Sequence, residues 1–148
     1  RMTINLFQTS EYRNIMEEHL IQTIHYLFEK EQEFAIACQV NHLSFSPELP
    51  EAIKETFKDT VLFVLSGYTY QSAKIEEKTF TFEAGFGNEN FGSLVSVPLL
   101  AIKQLFVGET LVMINLADLP YKPDNAQKDS MEALLSNPKN KMLLKKKR

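Results

Sequence analysis

Between residues 10 and 30 the apolar positions recur at steps of three and four: Tyr12, Ile15, Met16, Leu20, Ile24, Leu27 and Phe28, with Ile21 widening the stripe. Arg13, Glu17, Glu18, Gln22 and Glu29 take the other side. The spacing predicts an amphipathic helix, with Ser10 as its N-cap and Glu11 in its first turn. Such a stripe covers a sheet; a sharper reading has it also pair with a second copy. The period then drops to two. Phe34, Ile36, Cys38 and Val40 share one face of a strand over 34–40, after which Pro47 and Pro50 interrupt the pattern. Residues 51–58 suit a short helix or an irregular crossing. Residues 61–65 are apolar at every position, which predicts a central strand covered on both faces. Strands over 70–75 and 79–84 flank the polar turn Glu76-Glu77-Lys78, with Phe80 and Phe82 on one face. A strand over 94–97 follows. Pro98 then suits the first turn of a short helix over 99–106, ended by Gly108, and 110–116 reads as the last strand.

The expected fold is mainly β with α: an N-terminal helix and a strongly bent antiparallel sheet or small open barrel of five or six strands, within residues 1–117. In residues 118–148 the texture changes. Pro120, Pro123, Asp124, Asn125 and Gln127 mark a linker. Asp129 and Glu132 have capping-box spacing for a turn or two of helix over 129–136. The terminal patch is Lys141-Met142-Leu143-Leu144-Lys145-Lys146-Lys147-Arg148.

Charge sharpens this division. The whole chain of 148 residues carries −3. Residues 118–148 hold eight basic residues against Asp118, Asp124, Asp129 and Glu132, a net +4, so residues 1–117 carry −7. A body of that charge argues against nucleic-acid binding through bulk electrostatics. With 44% hydrophobic residues the chain can bury a core. A single cysteine, Cys38, excludes an internal disulfide and a cysteine zinc site; mid-strand, it reads as a small buried apolar residue in a reducing compartment. No signal-peptide pattern and no apolar run of membrane-spanning length is visible, so the expectation is a cytoplasmic protein without a membrane partner.

Catalytic chemistry finds little purchase. His19 and His25 diverge around the helix, and neither they nor His42 belong to a metal-ligand motif. No nucleophile elbow exists, and the carboxylate pairs Glu17-Glu18 and Glu76-Glu77 read as solvated faces. No enzyme, metal or cofactor is expected. The stretch Gly85-Phe86-Gly87-Asn88-Glu89-Asn90-Phe91-Gly92 lacks the Gly-Lys-Ser/Thr of a phosphate loop and leads into a strand. It reads as a hairpin loop, or as a place where a ligand backbone approaches closely and peptide is captured in a groove or by strand addition. The terminal patch reads as a solubilising tail, as a contact for nucleic acid or anionic membrane, or as a docking peptide built on Met142-Leu143-Leu144.

Glu83-Ala84-Gly85-Phe86-Gly87 followed by Val95-Ser96-Val97-Pro98-Leu99-Leu100-Ala101-Ile102 resembles the signature of the stringent starvation protein B (SspB) family, the specificity adaptors of the ClpXP protease. The resemblance is strongest over 61–105 and extends to the opening helix, the first strand and the apolar-basic tail. It implies an Sm-like open barrel preceded by a helix that forms a homodimer interface, here Tyr12, Ile15, Met16 and Leu20. It implies a groove for the ssrA degradation tag at Ala84, Phe86, Gly87 and Val95. It implies a tail tip, Met142, Leu143, Leu144 and Lys145, that docks on the N-terminal domain of the unfoldase ClpX, raising the local concentration of substrate without covalent chemistry. Two departures stand out: Gly85 replaces the family's arginine, and the loop before Val95 is two residues longer. The alternative class is an Sm-like RNA-binding protein that uses the basic C-terminus, Lys145–Arg148.

Overall fold

The computed structural model describes residues 5–120. The opening helix, α1 (Ser10–Glu29), starts one residue earlier than the cap reading had it: Thr9 is the N-cap, its Oγ1 accepting from the Tyr12 N–H at 3.2 Å. At its other end Glu31 takes a left-handed φ of 54°, and the Glu31 and Gln32 N–H groups donate back to the carbonyls of Phe28 and Leu27, closing the last turn.

Among the described residues eight strands follow, more than the five or six expected, in two four-stranded antiparallel sheets that do not close. The first sheet has the order β3 (Thr60–Leu65), β1 (Phe34–Gln39), β7 (Ile102–Val107), β8 (Thr110–Ile114). The second has β2 (Ser44–Ser46), β6 (Phe91–Pro98), β5 (Thr79–Phe86), β4 (Lys74–Glu76). Two short helices, α2 (Glu51–Lys54) and α3 (Gly67–Ser72), flank β3 along the chain. Met16, Leu20, Ile24 and Leu27 of α1 are buried with Phe34, Ile36, Phe80, Phe82, Leu99 and Leu105, so the helix stripe and the inner faces of both sheets form one core.

Three expectations are corrected. The helix over 99–106 is instead a 3-10 turn, Leu99–Ala101, running into β7. A β-bulge explains the misreading: Cys38 pairs with Ile102 but Ala37 with Gln104, so Lys103 is extra. Ile102 and Leu105 therefore both point inward at a helix-like spacing of three. Second, the strand over 70–75 is the end of α3 followed by β4. Third, β3 is an edge strand, not a central one. Phe63 and Leu65 face the core, while Leu62 and Val64 are 56% and 61% exposed on the outer face. An uninterrupted apolar run means two covered faces only if something covers the second.

The packed body runs up to residues 117 and 118. Asn115 donates its side-chain amide to the Leu100 and Ile102 carbonyls at 3.0 and 2.9 Å. Ala117 is buried, its carbonyl accepting from the Lys103 ammonium, which also pairs with Asp118 at 3.3 Å. Burial lowers the Lys103 pKa, and Asp118 partly opposes that shift.

Candidate functional site: a groove at a free strand edge

The site begins with where β4 stops. It pairs with β5 only through Thr79, Phe80 and Thr81. Two residues further on, α3 takes over: the Glu83 N–H donates to Ser72 Oγ at 2.8 Å. Among the described residues no strand lies on that side of β5 from Ala84 to Phe86, and none lies on the side of β3 away from β1. The gap between the two sheets lies between these two edges, bridged inside by Phe63 against Phe82, with ring centroids 5.1 Å apart.

Two cavities meet at the free edge. One, about 510 Å³, lies over the outer face of the second sheet; Glu83, Gly85, Gly92 and Leu94 line it, with Tyr68 above. Glu83 and Gly85 are register partners of Leu94 and Gly92, so its floor includes a cross-strand glycine pair without side chains. The other, about 330 Å³, lies on the inner face and is lined by Phe57, Val61, Phe63, Phe82 and Phe86. Thr69, Ala84 and Gly85 line both. The alternation of β5 produces this arrangement: Phe82, Ala84 and Phe86 point inward, Glu83 and Gly85 outward.

The inner cavity has an aromatic wall. The Phe86 ring meets Phe45, Phe57 and Phe63 at 5.9, 6.3 and 6.4 Å, each edge-on. The outer cavity is polar. Tyr68 donates its hydroxyl to Glu83 Oε1 at 2.8 Å, and the hydrogen bond to the carboxylate raises the Tyr68 pKa above its ordinary value. The other polar side chains there, Ser46, Thr69, Asn90 and Ser93, are neutral, and among the described residues no lysine or arginine lines either cavity. The hairpin loop closes this end. Asn90, at φ +55°, lays its amide over Gly85, where a Cβ would sit 1.8 Å from Asn90 Oδ1. Gly87 turns at φ +74° beside Ile53.

Of the residues expected at a groove, Ala84 stands at the junction of the cavities and Phe86 forms the aromatic wall. Gly87 shapes the loop and lines neither cavity. Val95 is fully buried on the inner face opposite Phe82 and has no exposed surface for a ligand. Glu83 and Tyr68 were not expected as lining residues, Tyr68 because no element is read from the residues between 65 and 70, whereas Gly85 and Gly92 bound the stretch read as a place of close approach. In α1, Met16 and Leu20 are buried in the chain's own core, Tyr12 is half-buried, and Ile15 is 60% exposed. Met142, Leu143, Leu144 and Lys145 lie outside the described residues.

Among the described residues no group of histidine, cysteine, aspartate and glutamate is placed to hold a metal, and no helix is long and apolar enough to cross a membrane. Cys38 is fully buried, and desolvation pushes its thiol pKa far above the ordinary range. No family model and no curated protein matches the chain.

Proposed function

We propose that this chain is a non-enzymatic, cytoplasmic proteolysis adaptor of the SspB type, built as an Sm-like open barrel. It captures a degradation-tag peptide of the ssrA kind in the groove and tethers the tagged substrate to the N-terminal domain of ClpX through its tail tip, Met142 to Lys145. Two copies associate as a homodimer. The observation that carries the reading is the free edge of β5 from Ala84 to Phe86, with a cavity on each side. An extended peptide added there gains main-chain hydrogen bonds from the edge and presents alternate side chains to the two cavities. The acidic body and the absence of basic residues from both cavities weigh against the RNA-binding alternative.

Fluorescence anisotropy with the organism's own ssrA peptide tests the reading. Wild type binds, and Ala84→Gln, which fills the junction of the cavities, does not. No binding at tens of micromolar removes the tag assignment, and an Ala84→Gln variant that binds as well as wild type removes the groove. Deleting residues 139–148 leaves peptide binding intact and abolishes accelerated degradation by ClpXP; delivery that survives the deletion removes the docking role of the tail.

A further inference from the structure

We infer that the groove selects an extended peptide in which apolar and basic side chains alternate, with a lysine or arginine placed beside Glu83. This rests on the reading of the groove as a peptide site and names the class of peptide it takes. The two cavities lie on opposite sides of one strand edge, so a peptide strand added there sends its odd side chains to one and its even side chains to the other. The inner cavity offers Phe57, Phe63 and Phe86, a surface for an aliphatic or aromatic side chain. The outer cavity offers one ionised group, the Glu83 carboxylate, with neutral hydroxyls and amides around it.

Three further observations favour a cation there. Tyr68 holds one carboxylate oxygen at 2.8 Å and leaves Oε2 for a ligand. Asn90 covers Gly85, but Gly92, diagonal to Glu83 across the ladder, has nothing within 4 Å of where a Cβ would stand, so the long apolar stem of a lysine or arginine can lie across it with its charge at the carboxylate. The net −7 of residues 1–117 attracts a basic peptide and repels an acidic one before contact is made. The cation that resemblance to the adaptor family leads one to expect at position 85 is absent, and Glu83 gives this cavity the opposite sign.

The test uses the full chain and a labelled nine-residue peptide alternating threonine and leucine, its central threonine replaced by lysine, glutamine or glutamate, read by anisotropy at low and high salt. The lysine peptide binds about fivefold tighter than the glutamine peptide at low salt, the glutamate peptide binds weakest, and high salt narrows the spread. Glu83→Gln brings the lysine and glutamine peptides to equal affinity, and a circular dichroism spectrum that matches wild type shows that the variant is folded. Equal binding of all three peptides, or a lysine preference that persists in Glu83→Gln, overturns the selectivity while the groove reading stands. Failure of all three peptides to bind overturns both.

Discussion

The backbone N–H of Glu83 donates to the hydroxyl of Ser72 over 2.8 Å, and that bond marks where β5 changes partner. Before it, β5 is paired with β4; after it, the strand edge is free. Ser72 itself is held in the last turn of α3, its hydroxyl 2.9 Å from the Thr69 carbonyl. Ser72→Ala removes the acceptor from an amide near solvent, so the expected loss of stability is small, about 0.5–1 kcal/mol. Hydrogen exchange is the sharper readout: the Glu83 amide exchanges faster in the variant, while the Phe80 amide, deep in the β4–β5–β6 ladder, is unchanged.

Phe86 is the inner cavity's wall, and its ring touches Phe45, Phe57 and Phe63. Because the side chain is only half-buried, Phe86→Ala costs less than a fully buried phenylalanine, about 2 kcal/mol by denaturant unfolding. Peptide affinity falls by a larger factor than for Ser72→Ala, since the variant removes apolar surface from the groove itself. Phe86→Leu retains most of the stability and part of the binding; full retention of binding in Phe86→Ala separates the ring from the site.

Much of this arrangement was legible in the residues. The three-and-four spacing from Tyr12 to Phe28 is a helix, Phe80 and Phe82 do share a face, and the glycine-bounded stretch after Ala84 is a hairpin. What escaped did so for physical reasons. Ile102 and Leu105 took helical spacing because a bulge adds Lys103 between two inward positions. Leu62 and Val64 looked buried because sequence records side-chain character and not what lies opposite. Tyr70 was read into a strand, whereas it sits in α3 with its hydroxyl donating to the Leu27 carbonyl at 3.2 Å. Glu83 was invisible as a site residue because an exposed acid in an alternating strand is what any solvated face carries; only its place between Tyr68 and a glycine floor distinguishes it.

The Tyr68–Glu83 contact has a pH signature. The carboxylate accepts a hydrogen bond only from the neutral phenol, so the folded-state pKa of Tyr68 lies above its unfolded value of 10.0. The contribution of this contact is therefore fully present below pH 10.0 and is lost as pH rises through the raised folded value. In an ultraviolet titration one of the five tyrosines ionises late for this reason, and Glu83→Gln shifts that ionisation back toward the ordinary value. An unchanged titration curve in Glu83→Gln excludes the contact in solution.

The last prediction concerns where a second copy attaches. Met16 and Leu20 are committed to the chain's own core, so α1 offers a partner Ile15, part of Tyr12 and, three turns on along the same face, the exposed Tyr26, with the polar Asn14, Glu18, His19 and Gln22 around Ile15. The outer face of the first sheet is richer: Leu62 and Val64 on β3 and Leu111 and Ile114 on β8 are all more than two-fifths exposed, with Ala35 and Phe106 between them. Sedimentation of single variants separates the two faces. Ile15→Asp leaves the oligomeric state unchanged, because the larger apolar face lies on the sheet and not on α1. Val64→Asp places a charge on the β3 side of the larger apolar face and shifts the population toward monomer. The reverse pattern, dissociation by Ile15→Asp and none by Val64→Asp, assigns the interface to α1.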